Sequence, residues 1–505
     1  MVRRGKRIIS GFLFKAANTI LSIVIAFFMM PFILHALGDR MYGLWILVGV
    51  FMGYMGYLDF GVSQAVSRYI AGAIGKDDPD ELNEIANTAF IIYLTVGMVT
   101  LLVTVIIIAV SGLFVRSASD LHTIRILIFL TGVSLAVGFP ARAFGGVLGA
   151  HLRYTISGSL NLTELLLRNL LIVIFFSLGY RIIALGIIVF SVTMFVDFLH
   201  VFFAFRVEKR LRIDRRYFKI NRVRQLFSYS FYVFISKLAE ILLFRVDSFV
   251  ITIFVGLTAV THYSIAATLI AYYSQFIFNS IGLIGPVFSQ DEGRGDIQEI
   301  RRKFFLTTKI SMYIAVFIGV MILFYGKPFI IRWMGINYVD AYSVLVVLVP
   351  ASLFALMQLP SGSLLLAISK HKFMAVASVL EGIFNLLLSI IFVQKYGIVG
   401  VAMGTAIPML VTRLLIQPVY VCKVLKISKK YYYINILMRC IAVAVLGLVP
   451  VFLLFRNFVT PEYFKIFISG AFHFVFYAGI VYLFGFKLNE RDYLMSYVKI
   501  THDKM

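Results

Sequence analysis

Charged residues and cysteines are both scarce in this chain. Of its 505 residues only 14% are Asp, Glu, Lys or Arg, and only Cys422 and Cys440 are cysteines. A soluble domain carries roughly 25% charged residues, so this deficit excludes an ordinary soluble protein. We expect both cysteines to lie on or near the cytoplasmic side, so they imply neither a disulfide framework nor a metal site.

The common signatures of catalysis and nucleotide hydrolysis are missing as well. The sequence has no G-x-x-x-x-G-K-[ST] phosphate loop, no G-x-S-x-G or H-E-x-x-H motif, and no Cys or His cluster at metal-ligand spacing. We therefore expect a protein that is not an enzyme and that needs no cofactor. Without an ATPase, any uphill movement of a substrate would draw on an ion gradient or on downstream removal of the product.

Apolar residues dominate what is present. They make up 61% of the chain, and the mean hydropathy is +0.94. A span of the hydrocarbon core needs roughly 20 apolar residues, so the length predicts about fourteen transmembrane helices in an all-α polytopic membrane protein. Apolar windows fall near 8–36, 41–65, 86–112, 123–149, 156–178, 182–205, 226–255, 259–288, 304–326, 342–369, 373–393, 398–421, 434–455 and 464–486.

One strongly basic run, Arg206 to Arg224, interrupts these windows. It holds nine of the chain's 47 Lys and Arg residues. Basic loops stay on the cytoplasmic side during insertion, and counting with both termini inside gives 30 basic residues inside and 7 outside. We therefore expect an even number of spans in the inner (cytoplasmic) membrane, with both termini cytoplasmic. A nucleic-acid or anionic-lipid patch is the alternative interpretation of the run, and we expect no nucleic-acid partner.

The two halves of the chain resemble each other at an offset of 218 residues. Gly38 matches Gly256, and the loop 75–82 matches 293–300, with an Asp three residues before a Glu in both copies. That spacing is typical of a capping box, and each loop is expected to start a short helix on the cytoplasmic surface. We predict a six-helix lobe over 1–205, a basic linker over 206–225, a second six-helix lobe over 226–421, and helices 13 and 14 with a cytoplasmic tail over 422–505.

Three segments near the N-terminus resemble a known family. GFLFKAANTILS (11–22), LGDRMYGLWIL (37–47) and YLDFGVSQAVSRYIA (57–71) are similar to segments of the polysaccharide-export, O-antigen-type flippases of the multidrug/oligosaccharidyl-lipid/polysaccharide exporter superfamily. The resemblance implies a two-lobed bundle that flips undecaprenyl-diphosphate-linked oligosaccharide across the membrane by alternating access. Its implied partners are this substrate, membrane lipid, and a polysaccharide polymerase and glycosyltransferases.

Two other functions stay open. A cation-coupled multidrug exporter shares the fold, but it needs an acidic cavity and usually has twelve helices. A membrane-embedded glycan polymerase or ligase handles the same substrate, but such enzymes generally carry a large extracytoplasmic loop. The longest such loop here, near Gly326 to Ala341, is short.

Ionisable residues within the predicted spans are the candidate site residues, because each costs about 2.5–3.5 kcal/mol at a helix centre unless it is paired or solvated. Glu164 and Arg168, four residues apart, are expected to form a structural pair. Lys15 either lines the cavity or snorkels to the cytoplasmic surface. Asp59 either binds a cation or forms a hydrogen bond that helps to pack the helices. The full set comprises six basic residues, Lys15, Arg142, Arg168, Lys237, Arg245 and Arg413, and six acidic residues, Asp59, Glu164, Asp197, Glu240, Asp247 and Glu381.

We assign two roles within this set. An unpaired cation in a span is costly unless it meets an anion, and the implied substrate carries an anionic diphosphate. The unpaired basic residues are therefore candidates for substrate binding. The equal number of carboxylates leaves open that they are all structural ion pairs. The candidates for the diphosphate and glycan cavity are Lys15, Arg142, Lys237, Arg245 and Arg413, and those for ion coupling are Asp59, Glu240 and Asp247.

Overall fold

The computed structural model describes residues 2–227, 246–281, 284–455 and 460–491, apart from single positions at 60, 114, 116, 152, 369 and 371. The described residues form helices and turns and contain no strand. The predicted all-α membrane class is therefore confirmed. The chain divides into two compact units, one comprising Met1–Ile241 with Gly256–Thr261, the other Leu242–Val255 with His262–Met505. The lobe and linker boundaries predicted from the sequence stay predictions.

The first unit is built on a long central helix. Ala118–Ala150 packs against the helices that precede it and against the last long helix of the unit. Its buried face carries small residues between large ones, and Phe139, Phe144 and Val147 join the apolar core. The helices are α1 (Val2–Leu37), α2 (Asp39–Gly56), α3 (Val62–Lys76), α4 (Pro79–Val110), α5 (Ala118–Ala150), α6 (Tyr154–Ser177) and α7 (Ile182–Val207).

The second unit contains a longer series of helices than the first in the described residues. Its helices are α8 (Asp247–Phe254), α9 (Leu257–Ile281), α10 (Ile284–Gly293), α11 (Ile297–Trp333), α12 (Ala341–Met357), α13 (Leu359–Ala367), α14 (Lys372–Leu410), α15 (Gln417–Val424), α16 (Lys429–Tyr431), α17 (Arg439–Phe455) and α18 (Tyr463–Ile480). Short π-helical stretches at Val411–Ile416, Tyr432–Met438 and Val481–Gly485 extend α14, α16 and α18.

Eleven helical segments of the described chain are long and apolar enough to cross a membrane. One of them, Lys372–Val424, has 53 residues and would measure about 80 Å if straight, far more than the ~30 Å hydrocarbon core. Gly397, with φ 55° and ψ −134°, breaks it. The break lies between the predicted windows 373–393 and 398–421. The predicted total of fourteen spans stays a prediction, since most of window 226–255 lies outside the described residues.

The two copies of the predicted internal repeat have matching backbone geometry. Gly38 and Gly256 both have positive φ, at 74° and 120°. Asp78 and Asp296 both cap a helix, each accepting a hydrogen bond of 2.9 Å from the backbone N–H three residues on. The expectation of a separate short helix after each loop is wrong. These caps begin the long helices α4 and α11 themselves, because no breaker residue follows before the apolar run.

The basic linker is fastened to the start of α4. The Asn83 side chain donates to the Arg210 carbonyl at 3.0 Å and accepts from the Arg212 N–H at 2.8 Å. Asn87, one turn further, does the same for the Arg212 carbonyl at 2.7 Å and the Asp214 N–H at 2.9 Å. Four backbone groups are thereby satisfied by two amides, and these hydrogen bonds hold the linker against the first unit.

The two appended helices pack on the second unit. Both α17 and α18 contact α11. The segment that follows α18 is attached to α11 as well, because the buried Lys309 donates to both carboxylate oxygens of Glu490 at 2.7 and 2.9 Å. The free cysteines Cys422 and Cys440 are both buried in the adjoining core.

Candidate functional site

Some of the predicted site residues lie within the described part of the structure and others do not. The backbone of Lys15 lies in α1, but its side chain is outside the described part, as are Lys237, Glu240 and Arg245 entirely. Arg142 and Asp59 lie together in the first unit. Arg413 and Asp247 lie in the second, each with its own set of contacts.

Asp59 lies where the second predicted window, 41–65, is interrupted. Helix α2 ends at Gly56, a 3₁₀ turn covers Tyr57–Asp59, and Gly61 takes the left-handed conformation, with φ 77°, before α3 begins. Glycine adopts that conformation without a Cβ penalty, so the Asp-Phe-Gly sequence permits the break. Asp59 accepts a hydrogen bond of 2.5 Å from the Tyr93 hydroxyl. Both alternatives for Asp59 stay open, because a packing hydrogen bond is present and a cation role is untested.

Arg142 faces Asp59 from the C-terminal half of α5. Its Nη1 is 3.8 Å from Asp59 Oδ1 and 3.4 Å from the carbonyl oxygen of Gly56, and its guanidinium lies 4.5 Å from the ring centre of Phe139. These contacts are long compared with the 2.7–2.9 Å of a strong charged hydrogen bond. The Arg142 side chain is still 34% exposed. Among the described residues, most of its five N–H donors therefore have no acceptor at hydrogen-bond distance and can bind an anion.

Two further charged groups of the first unit lack the loose, exposed contact of Arg142. Arg168 hydrogen-bonds Glu164, and Thr193 of α7 lies 3.3 Å from the same guanidinium. The pair expected from the four-residue spacing is present. Asp197, one turn beyond Thr193, forms no ion pair within the described residues and packs against the backbone of Gly138, where a Cβ atom would lie 2.6 Å from its carboxylate.

Arg413 lies in the π-helical stretch that follows α14. Its Nη2 is 3.4 Å from Oε2 of Glu381, and its Nη1 donates to Gln417 at 2.9 Å. The Glu381 side chain is only 1% exposed and that of Arg413 20%. This is a nearly dry ion pair, so it fits the structural alternative for Arg413 at least as well as a role in substrate binding.

Asp247 begins α8 within a buried group of oxygen atoms. Its Oδ2 accepts from the Tyr263 hydroxyl and from Thr405, the latter at 2.9 Å. Asn385 and Ser389 adjoin, since Thr405 is 3.3 Å from the Asn385 side-chain oxygen and Ser389 is 3.0 Å from it. All five side chains are buried. Within the described residues, Asp247 Oδ1 has no hydrogen-bond donor, which leaves a charged oxygen available in a dry site.

Close helix packing assembles this oxygen cluster. In the sequence GVAMG, Gly400 and Gly404 face the part of α14 that precedes the break at Gly397, and a Cβ at Gly404 would lie 2.3 Å from Ser389 Oγ. Small residues four apart are the usual means by which membrane helices approach closely. The approach also brings the Val401 carbonyl to 3.3 Å from both Ser389 Oγ and Thr405 Oγ1. The cluster therefore offers carboxylate, amide, hydroxyl and carbonyl oxygens, the donors that hard cations prefer.

Sequence reasoning missed most partners of the two aspartates. Tyr93, Tyr263, Asn385, Ser389 and Thr405 were not candidates, because single polar residues in apolar windows carry no signal of their own. The glycine spacing at Gly400 and Gly404 could have indicated a close helix contact beside Thr405.

Comparison with known proteins agrees with this architecture. The family described as "Polysaccharide biosynthesis protein" matches residues 8–292, more than half of the 505-residue chain. A putative O-antigen transporter of Shigella flexneri is 22% identical over 402 residues, covering 77% of this chain and 92% of that protein.

Solved structures extend the similarity to the fold. The lipid II flippase MurJ in an inward closed conformation matches with a TM-score of 0.72 and 17% identity, covering 94% of this chain and 98% of that one. An inward-facing multidrug resistance MATE family transporter of the MOP superfamily matches with a TM-score of 0.67 and 16% identity, covering 80% and 98%. At such identities the similarity establishes the fold and not the cargo.

Proposed function

Because the chain belongs to the polysaccharide biosynthesis protein family, we propose that it flips lipid-linked oligosaccharide, carried on undecaprenyl diphosphate, across the cytoplasmic membrane for surface polysaccharide synthesis. It moves the molecule by alternating access and forms no bond in it. Both termini and the basic linker face the cytoplasm in this proposal. The polymerase and glycosyltransferases that make and use the glycan are its functional partners.

Arg142 carries the proposal at the level of chemistry. A cation in a membrane span is costly, and Arg142 is held by one loose carboxylate contact while a third of its side chain stays exposed. An anionic group could replace or join Asp59 with a two-pronged hydrogen bond to the guanidinium. The diphosphate is the strongly anionic part of the proposed substrate. Lys15, Lys237, Arg245 and Arg413 remain the further candidates for this contact.

The exposed cation also separates this proposal from a multidrug exporter, the alternative with the same fold. A site for cationic drugs would place a carboxylate, not a guanidinium, toward the substrate. In this chain the carboxylate of Asp59 accepts a hydrogen bond from Tyr93, whereas Arg142 has N–H donors without an acceptor among the described residues.

Deleting the gene tests the function directly. We expect complete repeat units to accumulate on their lipid carrier, facing the cytoplasm, and Arg142→Ala to reproduce this at a normal level of protein in the membrane. Arg181→Ala is the matched control, since Arg181 is an arginine at the membrane boundary that bonds backbone carbonyls. If single units instead appear outside and are not polymerised, the polymerase interpretation is correct.

Ion coupling at Asp247 is a second proposal, supported by its buried carboxylate oxygen Oδ1, which has no hydrogen-bond donor among the described residues. A monovalent cation or a proton at Oδ1 would neutralise this charge, and the neighbouring amide, hydroxyl and carbonyl oxygens would complete its coordination. Binding of the ion would then drive transport in the absence of ATP hydrolysis.

Purified protein tests this proposal without the glycan. Sodium chloride should raise the melting temperature above that in choline chloride, or acid should raise it if the ion is a proton. Asp247→Asn should abolish the response, whereas Glu292→Gln, at an exposed carboxylate of α10, should keep it. A response that survives Asp247→Asn would place the ion elsewhere.

A further inference from the structure

The basic linker has two classes of cation that the sequence does not distinguish. Arg210 pairs with Asp77 at 2.7 Å and with Glu208 at 3.1 Å. Arg222 pairs with Glu81 at 3.2 Å and with Glu84 at 3.1 Å. Arg222 and the side chains of Asn83 and Asn87 hold the linker on α4, and Arg210 holds it on the loop that precedes α4.

The other cations of the linker have a different environment. They are exposed and have no carboxylate within ion-pair distance in the described part of the chain, although Asp80 and Asp214 lie on the same face. Their backbone is nevertheless held in place, since Arg212, Arg216 and Lys219 each donate their N–H to a side-chain oxygen. These outward cations are Arg206, Lys209, Arg212, Arg215, Arg216, Lys219 and Arg224.

Membrane insertion alone does not account for this arrangement. A topology signal depends on the number of basic residues in a loop and does not require the loop to be fixed. Here two asparagines, two arginines and the three carboxylates Asp77, Glu81 and Glu84 hold the linker in place while its remaining cations are exposed. Fixing an array of cations lowers the conformational entropy lost when a multivalent anion binds it.

The position and composition of the array indicate the partner. The linker follows directly on the membrane span Ile182–Val207 and lies across the first turns of α4, which carry Glu81 and Glu84. Two large apolar side chains stand exposed among the cations, Ile213 at 44% and Ile220 at 69%. Basic residues mixed with apolar ones next to a span are typical of segments that bind anionic lipid at the membrane interface.

We propose that the outward face of the basic linker binds the headgroups of anionic phospholipids in the adjacent leaflet. The cations contact the phosphates, and Ile213 and Ile220 enter the interfacial layer. The first unit is thereby attached to the bilayer at the point where the chain leaves it for the second. This surface is separate from the transport site and does not depend on which glycan is moved.

Lipid titration of the full-length protein tests the proposal. Native mass spectrometry in detergent gives the affinity for phosphatidylglycerol relative to phosphatidylcholine, and we expect wild type to prefer phosphatidylglycerol. In the variant Arg215→Gln/Arg216→Gln/Lys219→Gln each lost charge should weaken phosphatidylglycerol binding by up to about fivefold. Added salt should reduce the wild-type preference. Soluble glycerol phosphate at the same concentration should not compete, because it lacks the lipid anchor.

The control removes the same charge at the cytoplasmic end of the second unit. Lys423→Gln/Lys429→Gln/Lys430→Gln replaces three exposed lysines of the segment that follows α14. It should change the lipid preference less than threefold. An equal loss in both triple variants, or no loss in the linker variant, would overturn the proposal. Loss of glycan export in the linker variant with unchanged lipid affinity would instead indicate an acidic protein partner.

Discussion

Removing Arg413 should destabilise the second unit strongly, because its partner is a buried carboxylate. Glu381 is 1% exposed, its oxygens accept no hydrogen bond from the described residues, and its ion-pair partner there is Arg413 at 3.4 Å. Arg413→Ala leaves that charge uncompensated in a nearly dry site. Breaking a buried pair in this way costs about 3–5 kcal/mol of the free energy of unfolding.

The double variant Arg413→Ala/Glu381→Gln separates structure from transport. It removes both charges, so we expect it to recover most of the stability lost in the single variant, as buried pairs are often replaceable by neutral groups. Heating in detergent, followed by size-exclusion chromatography, measures the folded fraction. If Arg413→Ala is as stable as wild type, or if the double variant is no better, then the structural argument fails.

The same double variant decides the second role of Arg413. If Arg413 also binds the diphosphate, the stable double variant will not export glycan at a normal level of protein. If it exports normally, Arg413 is a structural residue and leaves the list of substrate-binding candidates.

The remaining predictions concern helix packing and the linker. Gly404→Ala should cost about 1–3 kcal/mol of stability, since the new Cβ would lie 2.5 Å from the Ser389 backbone nitrogen. The control Gly470→Ala should leave the melting temperature unchanged, because its Cβ would enter open space. Equal melting temperatures of the two variants would contradict the close contact at Gly404. Asn87→Ala removes two hydrogen bonds to the linker, worth about 0.5–1.5 kcal/mol each. Trypsin should therefore cleave within residues 209–216 faster in this variant than in wild type. Unchanged cleavage would mean that other contacts hold the linker. Burial raises the pKa of Glu208, but hydrogen bonds from Arg210 outweigh it and leave the pKa below its usual 4.5. A lowered pKa stabilises the fold above pH 4.5 and loses that effect as the pH falls through the folded-state value, so wild type should lose more stability in acid than Glu208→Gln. An equal loss of stability in acid for wild type and Glu208→Gln would contradict the lowered pKa of Glu208.

The spans could be predicted from the sequence because hydropathy is a local property. Windows 156–178 and 182–205 correspond to helices Tyr154–Ser177 and Ile182–Val207 within two residues. The repeat was also readable, since glycines and capping aspartates have fixed conformational roles at positions such as Gly38 and Asp78. The start of α4 was placed seven residues late, at 86, because its first turns are polar and lie outside the apolar window.

The contacts of the candidate sites could not be predicted, because they join residues far apart in the chain. Asp247 meets Thr405 across 158 positions, and Asn87 meets Arg212 across 125. Charge counting gave six cations against six carboxylates, and apart from Glu164 and Arg168, which lie four residues apart, it could not pair them. The structure pairs Arg142, Arg168 and Arg413 with different strengths, and only Arg142 combines a long contact with an exposed third of its side chain.

A flipping assay with purified protein tests the central claim most directly. Proteoliposomes would contain undecaprenyl-diphosphate oligosaccharide from the strain that encodes the protein, labelled on the sugar with a fluorophore that external dithionite destroys. With wild type, nearly all of the fluorescence should become accessible, whereas Arg142→Ala at equal reconstitution should leave about half protected, as in protein-free liposomes. If wild type also leaves half of the label protected, with and without sodium and proton gradients, the protein is not a flippase for this lipid.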